Sequence, residues 1–283
     1  MNDDGMTTIG LLHPGAMGSS IGAAAQASGA RVVWVSDERS EATRARAEAD
    51  GIEDVHWLNG VVNRSRIILS VCPPEFAVEL AEEVCALGYR GIYVDANAIA
   101  PATSRTIAEL VEHNHGSYVD GGIIGSPARQ PDTTRLYLSG AQAEFVAQFL
   151  DKGNLEVNCI SGDAGAASAL KMAYAAWTKG TSALLADIIA LALAEGVQDS
   201  LMAEWERSQT ALVQRSERGL SEAAAKAWRF AGEMEEIAAT FEANGLPDGF
   251  HRAAAEVYRR LEQFKDDPNA PGGVELAKHL FPD

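Results

Sequence analysis

Over the first ~160 positions, apolar runs of strand length alternate with longer mixed stretches. Thr7–Leu12 (TTIGLL), Arg31–Ser36 (RVVWVS), Arg66–Val71 (RIILSV), Gly91–Ala96 (GIYVDA) and Gly116–Gly121 (GSYVDG) read as strands. They are rich in β-branched and aromatic residues, which fit a pleated surface. Between them, Ser19–Ala27, Glu41–Ala49, Glu75–Ala86 and Ala102–Glu112 read as helices. Strands alternating with helices predict an α/β domain with a doubly wound parallel sheet covered on both faces. A further pair, RLYLSG and LEVNCI, closes this half.

The pattern then changes. From Ala164 to Glu195 there is no proline, and Leu170, Tyr174, Trp177, Thr181, Leu184, Ile188 and Leu191 recur every three or four residues. This predicts one helix starting near Gly162 and roughly 45–50 Å long, with that apolar stripe facing a core. Three further amphipathic stretches, 201–220, 222–245 and 247–266, contain no strand candidate. The expected organisation is an α/β domain over 1–161 and an all-helical domain over 162–283.

Composition narrows the class. Apolar residues make up 47% of the 283 positions and charged residues 22%, enough for a substantial core. A formal charge of −17 opposes binding to nucleic acid or an anionic membrane, because phosphate backbones select basic faces. No run of eighteen apolar residues occurs and the acidic start has no basic-then-apolar leader, so neither a membrane span nor a secretory signal is expected. Cys72, Cys85 and Cys159 have no metal or redox spacing, which fits reduced thiols in a cytoplasmic protein. No cluster has metal-ligand spacing, and no metal is predicted.

The segment GLLHPGAMGSSIG (10–22) sits between the first strand and the first helix. In a G-x-G-x-x-G turn the glycines allow a tight bend, a close approach to pyrophosphate and helix–sheet packing, with phosphate held at the helix N-terminus. Here His13 replaces the turn glycine, Pro14 stiffens the bend, and Gly15 and Gly18 keep the other two roles. The loop predicts a Rossmann-type dinucleotide site at His13, Pro14, Gly15, Ala16 and Met17.

GAMGSSIG resembles the G-x-M-G turn of the β-hydroxyacid dehydrogenase superfamily, which includes 3-hydroxyisobutyrate dehydrogenases, 6-phosphogluconate dehydrogenases and imine reductases. VDANAIAP (Val94–Pro101) resembles its D-x-S-T-x-x-P segment, and VDGGIIGSP (Val119–Pro127) its D-x-P-V-S-G-G loop. GAASALKMAYAAWTKG (Gly165–Gly180) resembles its G-x-G-x-x-x-K helix. LKMAYAAWTKG and GLPDGFHRAAAEVY bring the chain closest to a subgroup with a distinct helical C-terminal module.

The resemblance implies a nicotinamide cofactor, a catalytic lysine at Lys171, and Asn97 beside the nicotinamide ribose or the substrate. It places Val71, Cys72 and Pro73 by the cofactor ribose, and Gly121, Gly122 and Ser126 in the substrate loop. It also implies a homodimer formed through the helical domain. Cys72 has no basic sequence neighbour and is read as packed, not nucleophilic. Tyr174 and Thr178 share the side of Lys171 at helical spacing and join the substrate candidates. A lysine against an apolar helix face can snorkel to solvent or, if desolvated, serve as a proton donor near neutral pH. The family position favours the second role.

The chain departs from the family pattern at three places: Ala175 stands for an asparagine, Ile124 for a serine, and Gly232–Glu233 for a lysine–aspartate pair. They weaken the expectation of a small 3-hydroxycarboxylate. Cofactor choice is set after the second strand, where Ser36, Arg39 and Ser40 suit a 2′-phosphate and Asp37 suits a bare ribose. NADP is favoured, with NAD open. The expected activity is hydride transfer between NADP(H) and a small carbonyl or alcohol substrate. Imine reduction is the alternative, and a catalytically silent dinucleotide-binding protein is the alternative from another class. Glu233 and Glu236 are expected on a solvated face paired with Arg229, Lys179 as an ordinary polar residue, and His251 in a structural or site-lining role.

Overall fold

The computed structural model describes residues 6–281; the acidic start, residues 1–5, lies outside the described residues. Strands β1 (Thr8–Leu11), β2 (Arg31–Trp34), β3 (Glu53–Asp54), β4 (Ile67–Ser70), β5 (Ile92–Asp95), β6 (Ser117–Gly125), β7 (Thr134–Ser139) and β8 (Leu155–Cys159) form one sheet in the order β3-β2-β1-β4-β5-β6-β7-β8. Helices α1 (Ala16–Ala27), α2 (Glu41–Ala49), α3 (Leu58–Arg64), α4 (Ala77–Ala86), α5 (Pro101–His113) and α6 (Ala143–Ala147) lie between the strands in sequence. All pairings are parallel except β6–β7. The short link between those two strands (126–133) has no room for a crossover helix, so the chain turns back as an antiparallel pair.

The sheet buries both faces, as its strand composition requires. Ile67 and Leu69 point into one core with Ile9, Leu11, Val32 and Val94, while Ile68 points into the other with Leu12, Val61, Leu80 and Tyr93. This is the period-2 alternation of a strand covered on both sides.

The helical region begins with α7 (Ala166–Ala194), 29 residues and about 44 Å long. It continues with α8 (Gln198–Ser208), α9 (Thr210–Gln214), a π-helical turn (Arg215–Gly219) and α10 (Leu220–Ala224). Thus the stretch 201–220 is broken where one helix was expected. Then come α11 (Ala227–Ala243), α12 (Gly249–Arg260) and α13 (Gly273–Ala277). Contacts divide the chain into two compact units, Met1–Lys171 and Met172–Asp283. The division falls inside α7.

The buried face of α7 is not the expected stripe. Leu170, Tyr174, Trp177, Leu184 and Leu191 are exposed, Trp177 at 65%. Ala167, Met172, Ala175, Ala183, Ala186 and Ile189 are buried instead. Alanines allow close packing, so the small side of this helix meets the protein and the bulky side meets solvent. With apolar residues all round, periodicity alone could not choose between the sides.

A second correction concerns charge. Glu233 is buried and pairs with Lys179 at 2.6 Å, both side chains about nine-tenths covered. Lys179 also lies 4.9 Å from the Phe230 ring centre, and its carbonyl accepts the Tyr258 hydroxyl at 2.8 Å. The expected exposed pairing with Arg229 is replaced by a core ion pair, and Arg229 stacks over Phe230. His251 is 6% exposed and packs between Phe241 and Phe250. Among the described residues α7 alone is long and apolar enough to cross a membrane. Its Lys179 is neutralised inside the helical unit, as in the core helix of a folded domain.

Candidate active site

The strand order reverses direction between β1 and β4, and open α/β sheets bind ligands at the carboxyl ends of the strands beside such a switch. The sequence places its candidate loops at that edge. After β1, Leu12 still donates to Leu69 O of β4 at 3.1 Å, and the chain then turns through His13 and Pro14 into α1. The first turn of α1 has neither a side-chain cap nor an acidic residue. Its N–H groups and the positive end of its dipole are therefore available to an anion. A Cβ built on Gly15 meets no atom within 4 Å, so the surface there is open. Pro14 is buried, Gly15 and Met17 are half-buried, and Ala16 is exposed.

The loop after β2 meets this turn. His13 Nδ1 and Arg39 Nε are both buried and lack hydrogen-bond partners among the described residues. Burial and then the nearby Arg39 charge depress the His13 pKa to about 4, so the imidazole is neutral at pH 7. Arg39 supplies the positive charge. Ser36 is buried with its hydroxyl 3.2 Å from His56 Nδ1, while Ser40 caps α2 by accepting Thr43 N–H at 3.3 Å. Asp37 is exposed. Sequence reasoning missed Arg44, whose guanidinium donates to Ser36 O at 2.7 Å and Arg39 O at 3.4 Å and so braces the loop. Its place in the first turn of α2, beside Ser40, was the available clue. An open glycine, an uncapped helix end and the unpartnered buried Arg39 Nε donor suit a phosphate-bearing dinucleotide.

Val71, Cys72 and Pro73 follow β4 and are half-buried. Burial, then Asp95, pushes the Cys72 thiol up to about 12, so it is no nucleophile at neutral pH. Asn97 is 2% exposed and its amide is engaged by the protein. It accepts Cys72 N–H at 2.5 Å and donates at 3.0 Å to both Ser70 Oγ and Asp95 Oδ2. Its backbone N–H donates to Asp95 Oδ1 at 2.9 Å. Asn97 therefore ties the loop after β4 to the loop after β5. Asp95 itself is fully buried, and desolvation raises its pKa to about 7.

Strand β6 carries Gly121 and Gly122, both buried, and ends near the exposed Ser126. A Cβ on Gly122 would stand 2.7 Å from Ala167 O and 3.1 Å from Lys171 Cβ. Only glycine allows α7 this close to the strand. Lys171, half-buried, donates from Nζ to Ile123 O at 2.7 Å. Tyr174 and Thr178 follow on the same helix; Tyr174 is exposed, and the Thr178 hydroxyl donates to Tyr174 O at 3.3 Å. Both belong to the helical unit.

The loop after β6 is fastened to α1 and α2 by residues the sequence reading passed over. Ala128 N–H donates to Ser20 Oγ at 2.9 Å, and Arg129 forks onto Asp50 at 2.6 and 2.8 Å while reaching Ser19 Oγ at 3.0 Å. Arg129 holds the Asp50 carboxyl below the usual carboxylate range. Seventy-nine positions separate the two residues, and no local pattern announces such a pair. No group of three or more potential metal ligands occurs among the described residues.

Comparison with known proteins agrees with this geometry. Residues 7–153, just over half of the chain, match the NAD binding domain of 6-phosphogluconate dehydrogenase, and residues 192–261 match a domain of unknown function, DUF1932. An uncharacterised 28.5 kDa protein of Methanothermus fervidus is 29% identical over 164 residues, which span 58% of this chain and 62% of that protein. A solved conserved protein of unknown function, described as structurally similar to 3-hydroxyacid dehydrogenases, superposes with a TM-score of 0.67 at 25% identity. That match covers 91% of this chain and 97% of the other. A 3-hydroxyisobutyrate dehydrogenase of Mycobacterium tuberculosis shares the fold, with a TM-score of 0.70 at 17% identity over 97% and 98% of the two chains. With its nicotinamide-dinucleotide-binding sheet domain followed by a helical domain, this chain belongs to the β-hydroxyacid dehydrogenase superfamily.

Proposed function

We propose that the protein is an NADP(H)-dependent dehydrogenase or reductase acting on a small carbonyl or alcohol substrate, with Lys171 moving the proton. The observation that carries this reading is the Lys171 amine, held 2.7 Å from Ile123 O on the strand of the substrate loop. The first turn of α1, with Gly15, would receive the dinucleotide phosphates; Arg39, braced by Arg44, would receive the 2′-phosphate. When bound, the nicotinamide supplies or accepts the hydride. Lys171 gives a proton to the substrate oxygen during reduction and takes one during oxidation. Ile123 O restricts where the amine can point, which is the protein's share of positioned acid–base catalysis.

The residues around this lysine support a less acidic substrate than a 3-hydroxycarboxylate. Ile124 is buried where the family serine would stand, and Ala175 is buried where the family asparagine would stand. Both changes remove polar groups, and a carbonyl with an apolar substituent suits them better. The exposed Tyr174, Trp177, Leu184 and Leu191 of the helical unit support a homodimer formed through the helical domain, since exposed large apolar side chains suit a contact surface.

A panel of aldehydes, ketones, hydroxyacids and imines with NADPH or NADP, followed at the nicotinamide absorbance, tests the proposal. Lys171→Ala should lower turnover by about 10²–10⁴-fold with dinucleotide affinity nearly unchanged. Lys171→Arg should fail equally, because guanidinium stays protonated. Near wild-type turnover in Lys171→Ala would overturn the assignment.

A further inference from the structure

We propose that Asp120 is a positioning residue: its buried carboxylate fixes the start of α7 on β6 and so sets where the Lys171 amine stands. This rests on the catalytic reading of Lys171 only for its consequence, and not for its geometry. Asp120 is fully buried. Its Oδ1 accepts the hydroxyls of Ser104 at 2.9 Å and Ser168 at 2.6 Å. Its Oδ2 accepts the backbone N–H groups of Gly165 at 3.0 Å and Ser168 at 2.9 Å, and the Ser139 oxygen lies 3.4 Å away. A second brace runs through Ser139, which accepts Ala167 N–H at 3.1 Å and donates to Asp163 O at 3.1 Å.

Two of these donors are backbone groups at the opening of α7, which every helix must satisfy by some means. Here the acceptor comes from the neighbouring strand and not from the helix's own cap. The cap is therefore also a tether. Ser168 and Lys171 are one turn apart on the same side of the helix. Along β6, Asp120 meets the helix start, Gly122 admits the helix backbone, and Ile123 O meets the Lys171 amine. Helix and strand are thus fixed at both ends of a four-residue span. The polar groups converge on the backbone of the turn below the lysine, and the lysine's reach to Ile123 O follows from where that turn is held. Removing the carboxylate leaves two buried N–H groups and two hydroxyls without their acceptor, and the turn must move to find others.

The test needs no substrate. Lys171 labelling by an amine-reactive reagent is followed by peptide mass spectrometry between pH 6 and 10, with the exposed Lys152 as internal reference. In Asp120→Ala the rate at Lys171 relative to Lys152 should rise at least fivefold, with a shifted pH midpoint. Asp120→Asn, which still offers an oxygen to the two N–H groups, should return both to within twofold of wild type. Ser168→Ala, which keeps the N–H and loses only the hydroxyl, should change the rate about twofold in the same direction. It decides the question if Asp120→Ala does not fold. Unchanged labelling and midpoint in a folded Asp120→Ala, or in Ser168→Ala when that variant alone folds, would overturn the proposal. Loss of the catalytic reading would show separately, as undiminished turnover in Lys171→Ala with the labelling changes intact.

Discussion

The sheet unit and the helical unit both bury carboxylates, but they satisfy them differently. In the sheet unit, Asp120 receives hydroxyls and backbone N–H groups, and Asp95 receives the amide and N–H of Asn97. In the helical unit, Glu233 faces a full opposite charge on Lys179. The difference lies in what each arrangement can hold in place. A carboxylate bound to backbone donors fixes chain segments, because those N–H groups cannot rotate away from their peptide planes. An ion pair between two flexible side chains fixes neither backbone closely, and its attraction is offset by the loss of hydration of both charges. The sheet unit therefore uses buried acids to set loop and helix geometry along the carboxyl ends of its strands. The helical unit uses its pair to neutralise a lysine that its long helix carries into the core.

The largest expected effect breaks the pair. Glu233→Ala leaves the Lys179 ammonium buried without its partner and should cost about 3–5 kcal/mol, read as a lower denaturant midpoint. The double variant Lys179→Met with Glu233→Leu should recover most of that loss. If the single variant is as stable as wild type, the pair holds nothing and the contrast fails.

An intermediate effect sharpens the other side. Asp95 has a folded pKa near 7 against 3.8 for the ordinary group. Its protonated form contributes stability that is fully present below pH 3.8 and is lost as pH rises towards 7. Asp95→Asn cannot ionise. Its stability relative to wild type should therefore increase between pH 4 and 7 and level off above, as measured by denaturant midpoints across that range. A constant difference would mean that Asp95 does not titrate there.

The smallest effect concerns a charge that the sheet unit leaves partly unsatisfied. Arg39 has a buried Nε without a partner among the described residues, unlike Lys179 in the helical unit. If it awaits a 2′-phosphate, Arg39→Ala should erase an NADPH-over-NADH preference of at least tenfold, about 1.4 kcal/mol, in titrations of binding. An NADH preference removed by Asp37→Ala would assign the choice to Asp37 instead.

How much of this was legible in the sequence depended on how local each cause was. The strands β1, β2, β4 and β5 were readable because short β-branched runs buried on both faces look alike wherever they occur. The turn His13–Met17 was readable because its glycines, strand and helix are contiguous. The face of α7 was not, because alanine and leucine are both apolar and only the partner surface decides which side is covered. Lys179 and Glu233 lie 54 positions apart, Asp50 and Arg129 79 apart, and neither pair repeats with any helical or strand period. Asn97 was assigned to a ligand from its motif, yet its amide is held by Ser70, Cys72 and Asp95, a network assembled only when two strand ends meet.

Gly15 carries a consequence for anyone seeking a sturdier version of this protein. Its backbone, at φ −63° and ψ −177°, lies where any residue can sit, and a Cβ there touches nothing. Alanine would narrow the unfolded ensemble, an effect worth about 0.4–1 kcal/mol, but Gly15 opens α1, and glycine is much the better residue at that helix position. The two effects oppose each other, and the added methyl group would also occupy the space proposed for the dinucleotide phosphates. Sturdiness therefore has little to gain from a side chain here, and the bare backbone serves the helix end and the proposed ligand alike.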